Sequence, residues 1–148
     1  MGGFGLFDLM VALVIATMLV SLAVPAYDRA ISRAHVAKAV SDISSLGLAI
    51  EQFRLNNQDQ LPASLADLGV EIPLDPWGRP YAYLNIHTAP PGNGSLRKDG
   101  KLNPLNSDFD LYSRGRDGAS KFPLNAKESR DDIVRANDGA FIGLAENY

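Results

Sequence analysis

Residues 4–26 read FGLFDLMVALVIATMLVSLAVPA, 23 residues carrying a single charge at Asp8. The chain holds 17 acidic and 14 Lys or Arg side chains, and no other of them falls before Asp28. As a helix rising about 1.5 Å per residue, this run spans roughly 34 Å, enough for a hydrocarbon core of about 30 Å. Backbone polar groups inside lipid must be satisfied within the segment, so helix is the expected form. The residues leave three readings open: a secretory signal peptide, a plain amino-terminal anchor, or a helix in which Asp8 has a task. A signal peptide would place Val24 and Ala26 before its cut, but Met1-Gly2-Gly3 lacks a cation and Pro25 lies inside that site. A carboxylate deep in a membrane helix costs up to about 2.5–3.5 kcal/mol. Asp8 either caps the positive end of the helix or pairs with a cation. The near candidate is an α-amino group created by cutting after Gly3, on its own chain or a neighbouring one.

Past Ala26 the apolar density falls and a helical period takes over. Tyr27, Ile31, Ala34, Ala37, Val40, Ile43, Leu46, Ile50 and Phe53 step by three or four and draw one apolar stripe. Arg29, Arg33, Lys38, Asp42 and Glu51 fall between those steps. The pattern predicts one helix from about 4 to 57, with Pro62 barring its continuation. Pro25 should kink or locally melt it, and Gly47 is a milder weak point.

The texture then changes to Pro, Gly and short apolar runs. Residues 61–68 predict a turn and a brief helix. Pro76-Trp77-Gly78 predicts a tight turn feeding a strand near 81–86, with Trp77, Tyr81 and Tyr83 as packing residues. A glycine-rich loop follows at 90–94, a second strand near 109–113, and a third around 140–142. The expected fold is α+β: a long amino-terminal helix, membrane half plus amphipathic half, packed on a small antiparallel sheet. The expected organisation is a leader at 1–3, an apolar half-helix at 4–26, an amphipathic half-helix at 27–57 and a sheet region at 58–148. Residues 27–148 form one domain in this reading.

Composition narrows the function. The formal net charge of −3 and a pI near 5.3, with no basic stripe, argue against nucleic acid as the ligand. The absence of cysteine excludes a disulfide framework, a thiolate zinc site and a cysteine nucleophile. The two histidines, His35 and His87, have no nucleophile near them in sequence, and no phosphate-binding or hydrolase motif occurs. An enzyme is not expected.

Gly3-Phe4, an acidic residue five positions into the chain that a cut there would leave, the apolar run and Pro25 together resemble the amino terminus of type IV pilins and type II secretion pseudopilins. DPWGRPYAYL at 75–84 followed by FDLYSRGRDG at 109–118 resembles the carboxyl-terminal domain of the major pseudopilins. The resemblance implies cleavage by a prepilin peptidase between Gly3 and Phe4 and methylation of the Phe4 amine. It implies subunit docking through Asp8 and the helix that carries Pro25. The product would be a helical homopolymer working with minor pseudopilins and an inner-membrane secretion platform. The subunit would be a single-pass inner-membrane protein before assembly and part of a periplasmic filament afterwards. The resemblance also implies a calcium ion held by the Arg114 carbonyl, Asp117, Asp131 and Asp132, with Asp138 as a competing ligand. Three departures stand out: Asp8 replaces the family's usual Glu, the leader is unusually short and uncharged, and the segment at 119–130 is longer than in familiar members. The alternatives are a surface type IV pilin, many of which close the last loop with a disulfide, and a monomeric anchored or secreted binding domain.

Overall fold

The computed structural model describes residues 5–90, 94–100 and 102–148. Its first element is α1, Leu6–Asn56, 51 residues in length. The chain divides into two compact units, one ending at Ala34 and the other spanning His35–Tyr148. α1 does not unwind at Pro25, which lies inside it. Proline removes one backbone donor there, and the helical residues on both sides keep the segment wound. The local melting expected at this position is therefore not found. At its far end α1 is closed by Gln58 and Asp59, both in the left-handed region, with the Asp59 amide donating to the Arg54 carbonyl at 3.0 Å.

In the unit His35–Tyr148, the buried face of α1 is Ala39, Ile43, Leu46 and Ile50, with Val36 packed partly beneath it. The spacing alternates three and four, which holds one face of a 3.6-residue helix. Ala34 and Ala37, placed on the stripe from sequence, are exposed instead. Three successive steps of three, from 34 to 37 to 40 to 43, each rotate the position by about 60°, which carries Ala37 and then Ala34 off the face of Ile43. Tyr27 and Ile31 are likewise exposed.

Four short strands form an antiparallel meander in chain order: β1 Ala82–Asn85, β2 Phe109–Ser113, β3 Ile133–Ala136 and β4 Phe141–Leu144. Tyr83 faces Leu111 across β1–β2, Tyr112 faces Val134 across β2–β3, and Val134 faces Gly143 across β3–β4. Phe109, Leu111 and Ile133 join the core against α1, together with Leu65 and Tyr81. The other side of the sheet buries Val134 and Ala136 with Leu105, Leu124 and Ala145. Both faces of β3 are thus covered, so its residues are all buried and its sequence, IVRA, shows no simple alternation. That is why the sequence reading expected three strands and passed over this one. The glycine-rich loop lies largely at 91–93, outside the described residues.

Side chains tie the helix to the sheet. The Tyr81 hydroxyl donates to Asp42 Oδ2 at 2.9 Å, and Lys38 holds the other oxygen of that carboxylate. Burial first, then the hydrogen bond to Asp42, pushes the Tyr81 hydroxyl far above its ordinary range. The Tyr83 hydroxyl donates to the Pro62 carbonyl at 2.8 Å and is pushed up to about 12, mainly by burial. Trp77 packs partly buried against the core and meets the His35 ring edge-on at 5.7 Å. All three aromatics are packing residues, as expected.

Candidate functional site

Two features stand out: the apolar part of α1, and the loop that closes the sheet. In the unit ending at Ala34, the large apolar side chains from Leu6 to Val24 are exposed, Phe7 at 76% and Leu13 at 58%. Runs such as Leu9-Met10-Val11 and Met18-Leu19-Val20 advance by about 100° per residue and so reach every side of the helix. A helix apolar all round belongs in lipid or inside a bundle of helices. This stretch is long and apolar enough to cross a membrane, and none of its apolar window is buried in the chain. The hydroxyls of Thr17 and Ser21 donate back to the carbonyls of Val14 and Met18, at 2.9 and 2.8 Å. Their polarity is thereby satisfied within the helix, as an apolar medium demands.

Asp8 sits in the first turn, where its Oδ2 accepts from the Gly5 amide at 3.0 Å. This local cap satisfies one hydrogen bond at the positive end of the helix dipole. The partner is a neutral amide, so no counter-ion is supplied by this contact. Gly3 and Phe4, the expected processing site, lie outside the described residues. Pro25 is placed within α1, seventeen residues past Asp8.

The two stretches that resemble the pseudopilin domain are joined in space. In the first, the Gly78 amide donates to the Asp75 carbonyl at 2.8 Å, with Gly78 at φ +82. Asp75 Oδ1 accepts from the amides of Trp77 and Arg79, and Oδ2 accepts from the Ser113 hydroxyl at 2.6 Å. Ser113 is the last residue of β2. Arg79 continues the link: Nη1 donates to the Gly115 carbonyl at 2.6 Å and Nη2 to the Arg116 carbonyl at 3.1 Å. Two glycines are required by this closeness. A Cβ on Gly115, at φ +61, would lie 2.1 Å from the Asp131 carbonyl oxygen, and one on Gly118, at φ +73, would lie 2.6 Å from Arg79 Cζ.

The expected calcium ligands are only partly brought together. The Asp117 amide donates to Asp131 Oδ2 at 3.0 Å, so these two residues are neighbours. The Arg114 carbonyl already accepts from the Gly118 amide at 3.2 Å, and Asp117 Oδ1 accepts from Ala119 at 2.7 Å. Asp132 is fully buried and turned away into an ion pair, its Oδ2 receiving Arg97 Nη2 at 2.5 Å and the Ser120 hydroxyl at 2.6 Å. Among the described residues, Arg97 Nε and Asp132 Oδ1 have no hydrogen-bond partner, one donor and one acceptor of the same singly bridged pair. Asp138 serves elsewhere, accepting from the Ser107 amide and hydroxyl at 2.7 and 2.8 Å. Among the described residues, no three His, Cys, Asp or Glu side chains gather closely enough to hold a metal ion. Calcium needs six to eight converging oxygens, and the residues as placed do not fit it.

Sequence reasoning missed Asp75, Arg79 and Arg97 as organising residues. Asp75 could have been found: an Asp opening a Pro-X-Gly turn commonly accepts from the amides after it. Arg97 lies in a polar loop beside Lys98 and Asp99 and carries no local signal that sets it apart from them.

An apolar-headed helix whose second half is covered by a small antiparallel meander is the fold of pilin-like proteins. No family model matches the chain, and no solved structure matches it at a significant level. Among known proteins, it is 34% identical over 136 aligned positions to the type II secretion system core protein G of Aeromonas hydrophila, covering 78% of this chain and 83% of that one. It is 33% identical over 135 positions to the core protein G of Klebsiella pneumoniae, covering 88% and 91%. A fimbrial protein of Neisseria meningitidis serogroup A is 25% identical over 149 positions, covering 98% and 85%. The chain belongs to the type II secretion system core protein G family, the pseudopilins. Its role is that of a structural, non-catalytic pseudopilus subunit, anchored in the inner membrane before it enters a periplasmic filament.

Proposed function

We propose that the chain is cut between Gly3 and Phe4 by a prepilin peptidase, methylated on the new amine, and drawn into a homopolymer through the apolar part of α1. The observation that carries this reading is the all-round exposure of that segment. Buried apolar area is worth about 25 cal/mol per Å², so a rod leaving lipid is stable only against rods like itself. Asp8 supports a docking role because the partner of its carboxylate among the described residues is a neutral amide, which suits the charge to a cation brought by another subunit. The amine that cutting would leave on Phe4 of a neighbouring subunit is of the right charge and comes four residues before Asp8 in sequence. Minor pseudopilins would begin or cap the polymer, and an inner-membrane platform would drive it to export protein.

The test is to express Asp8→Ala in the native host and isolate sheared filaments, with intact mass and amino-terminal sequence recorded on the membrane pool. The expected result is a chain beginning at methylated Phe4 that is inserted and folded but absent from filaments. Filaments in normal yield would remove Asp8 from the mechanism. A mature chain still carrying Met1, or starting after Ala26, would overturn the processing step. The similarity to a meningococcal fimbrial protein favours one further reading, a surface pilus, which would appear as filaments extending beyond the cell envelope.

A further inference from the structure

The segment between β2 and β3 turns back on itself and gathers acceptor oxygens. The carbonyls of Gly115, Arg116 and Lys121 point at guanidinium groups, and so does the carboxylate of Asp132. Such a cluster needs positive charge and donors close by. We propose that the guanidinium groups of Arg79 and Arg97 are the resident cations of the 114–132 loop, holding it closed in the place where the family resemblance puts calcium.

Arg97 is 2% exposed and reaches three acceptors: the Ser120 hydroxyl and Lys121 carbonyl from Nη1, both at 2.7 Å, and Asp132 from Nη2. Its Cζ lies 4.2 Å from the centre of the Tyr112 ring on β2. An aromatic face suits a flat, weakly hydrated cation and offers no oxygen to a divalent metal. The backbone of Arg97 is fixed as well. Its amide donates to Asp110 Oδ2 at 2.8 Å and its carbonyl accepts from Leu105 at 2.8 Å. The next residue continues the seam, with the Lys98 amide donating to the Phe122 carbonyl and the Leu124 amide donating to the Lys98 carbonyl. Arg79 does the same for the first turn of the loop, and Gly118 is the imprint of its presence. With Cβ only 2.6 Å from Arg79 Cζ, any side chain at 118 would expel the guanidinium. The five donors of an arginine, in a rigid fork, match several backbone carbonyls at once, as a lysine cannot.

This inference concerns the closure of the domain and does not rest on the filament reading. The full chain in detergent micelles, stripped with chelator, is followed by thermal unfolding and amide hydrogen exchange, then repeated with millimolar calcium or magnesium. The expected wild-type midpoint is the same within about 1 °C in all three, and 114–132 stays protected without metal. Arg97→Met should lower the midpoint by at least about 5 °C and open 119–132 to exchange, with no recovery in calcium. Arg79→Met should open 114–118 first. A wild-type midpoint raised about 3 °C or more by calcium but not magnesium, or protection of 114–132 only in calcium, would overturn the proposal, since a ligand of the folded state stabilises it by mass action. If Arg97→Met fails to fold, the wild-type arms still decide.

Discussion

The two parts of α1 share one backbone and answer to different surroundings. Up to Ala26 the helix carries apolar groups on every side and buries none of its large ones in the chain. From His35 onward it carries one apolar face, and Ala39, Ile43, Leu46 and Ile50 on that face are covered by the sheet. The difference teaches that helix formation alone does not set the role of a segment. A surface left uncovered by its own chain must be covered by lipid or by other chains, and a surface already covered stabilises the fold.

The largest effect should separate assembly from folding. Asp8→Ala is expected to remove filaments altogether while leaving the unfolding midpoint unmoved, because Asp8 lies outside the unit that carries the core. Equal loss of folding and assembly would break the comparison. Next in size is Gly115→Ala, where a Cβ meets the Asp131 backbone in a left-handed residue. A loss of about 3–4 kcal/mol, read by denaturant unfolding, is expected from the clash and the strained φ together. Ile43→Ala and Leu13→Ala form the direct contrast. Removing the fully buried Ile43 should cost about 2–5 kcal/mol, whereas Leu13, more than half exposed, should cost under about 0.5 kcal/mol in the single chain and act only on filament yield.

Acid should act on the covered unit through Asp108. Its carboxylate takes a two-pronged grip from Arg135 at 2.7 and 2.8 Å and the Phe109 amide at 2.6 Å. Burial alone would raise its pKa, but these hydrogen bonds and the Arg135 charge outweigh that and hold it below the usual carboxylate range. A depressed folded value means its contribution is whole above about pH 4, the unfolded value, and is lost as pH falls through the folded one. Asp110 runs the other way, since burial pushes it up despite the Arg97 amide and Asn106. The difference between wild-type and Asp108→Asn stability curves isolates the effect, and it should shrink below about pH 4. A gap independent of pH would remove the linkage. The smallest effect is Gly47→Ala, a helical glycine with open space around its Cβ, expected to add about 0.5–1 kcal/mol.

Much of this molecule was legible in its residues because the signals are local. A run of apolar side chains with one charge reads as a helix for lipid wherever it stands, and β2 at Phe109–Ser113 alternates clearly enough to be placed at its true bounds. The pairing of the two pseudopilin-like stretches was also visible as sequence, though not the Asp75–Ser113 and Arg79–Gly115 hydrogen bonds that explain why they occur together. β3 was hidden because burial on both faces erases alternation. The turn of Asp132 toward Arg97 was hidden because 35 residues separate the partners.

By itself, then, the order of residues determined where the chain is apolar, where it is helical and which surface it leaves for lipid or for copies of itself, since these depend on neighbours within a few positions. Only the tertiary structure decided which carboxylates face a guanidinium and which face the loop. That choice is made by groups far apart in sequence, brought together under burial, where an unpaired charge is too costly to persist.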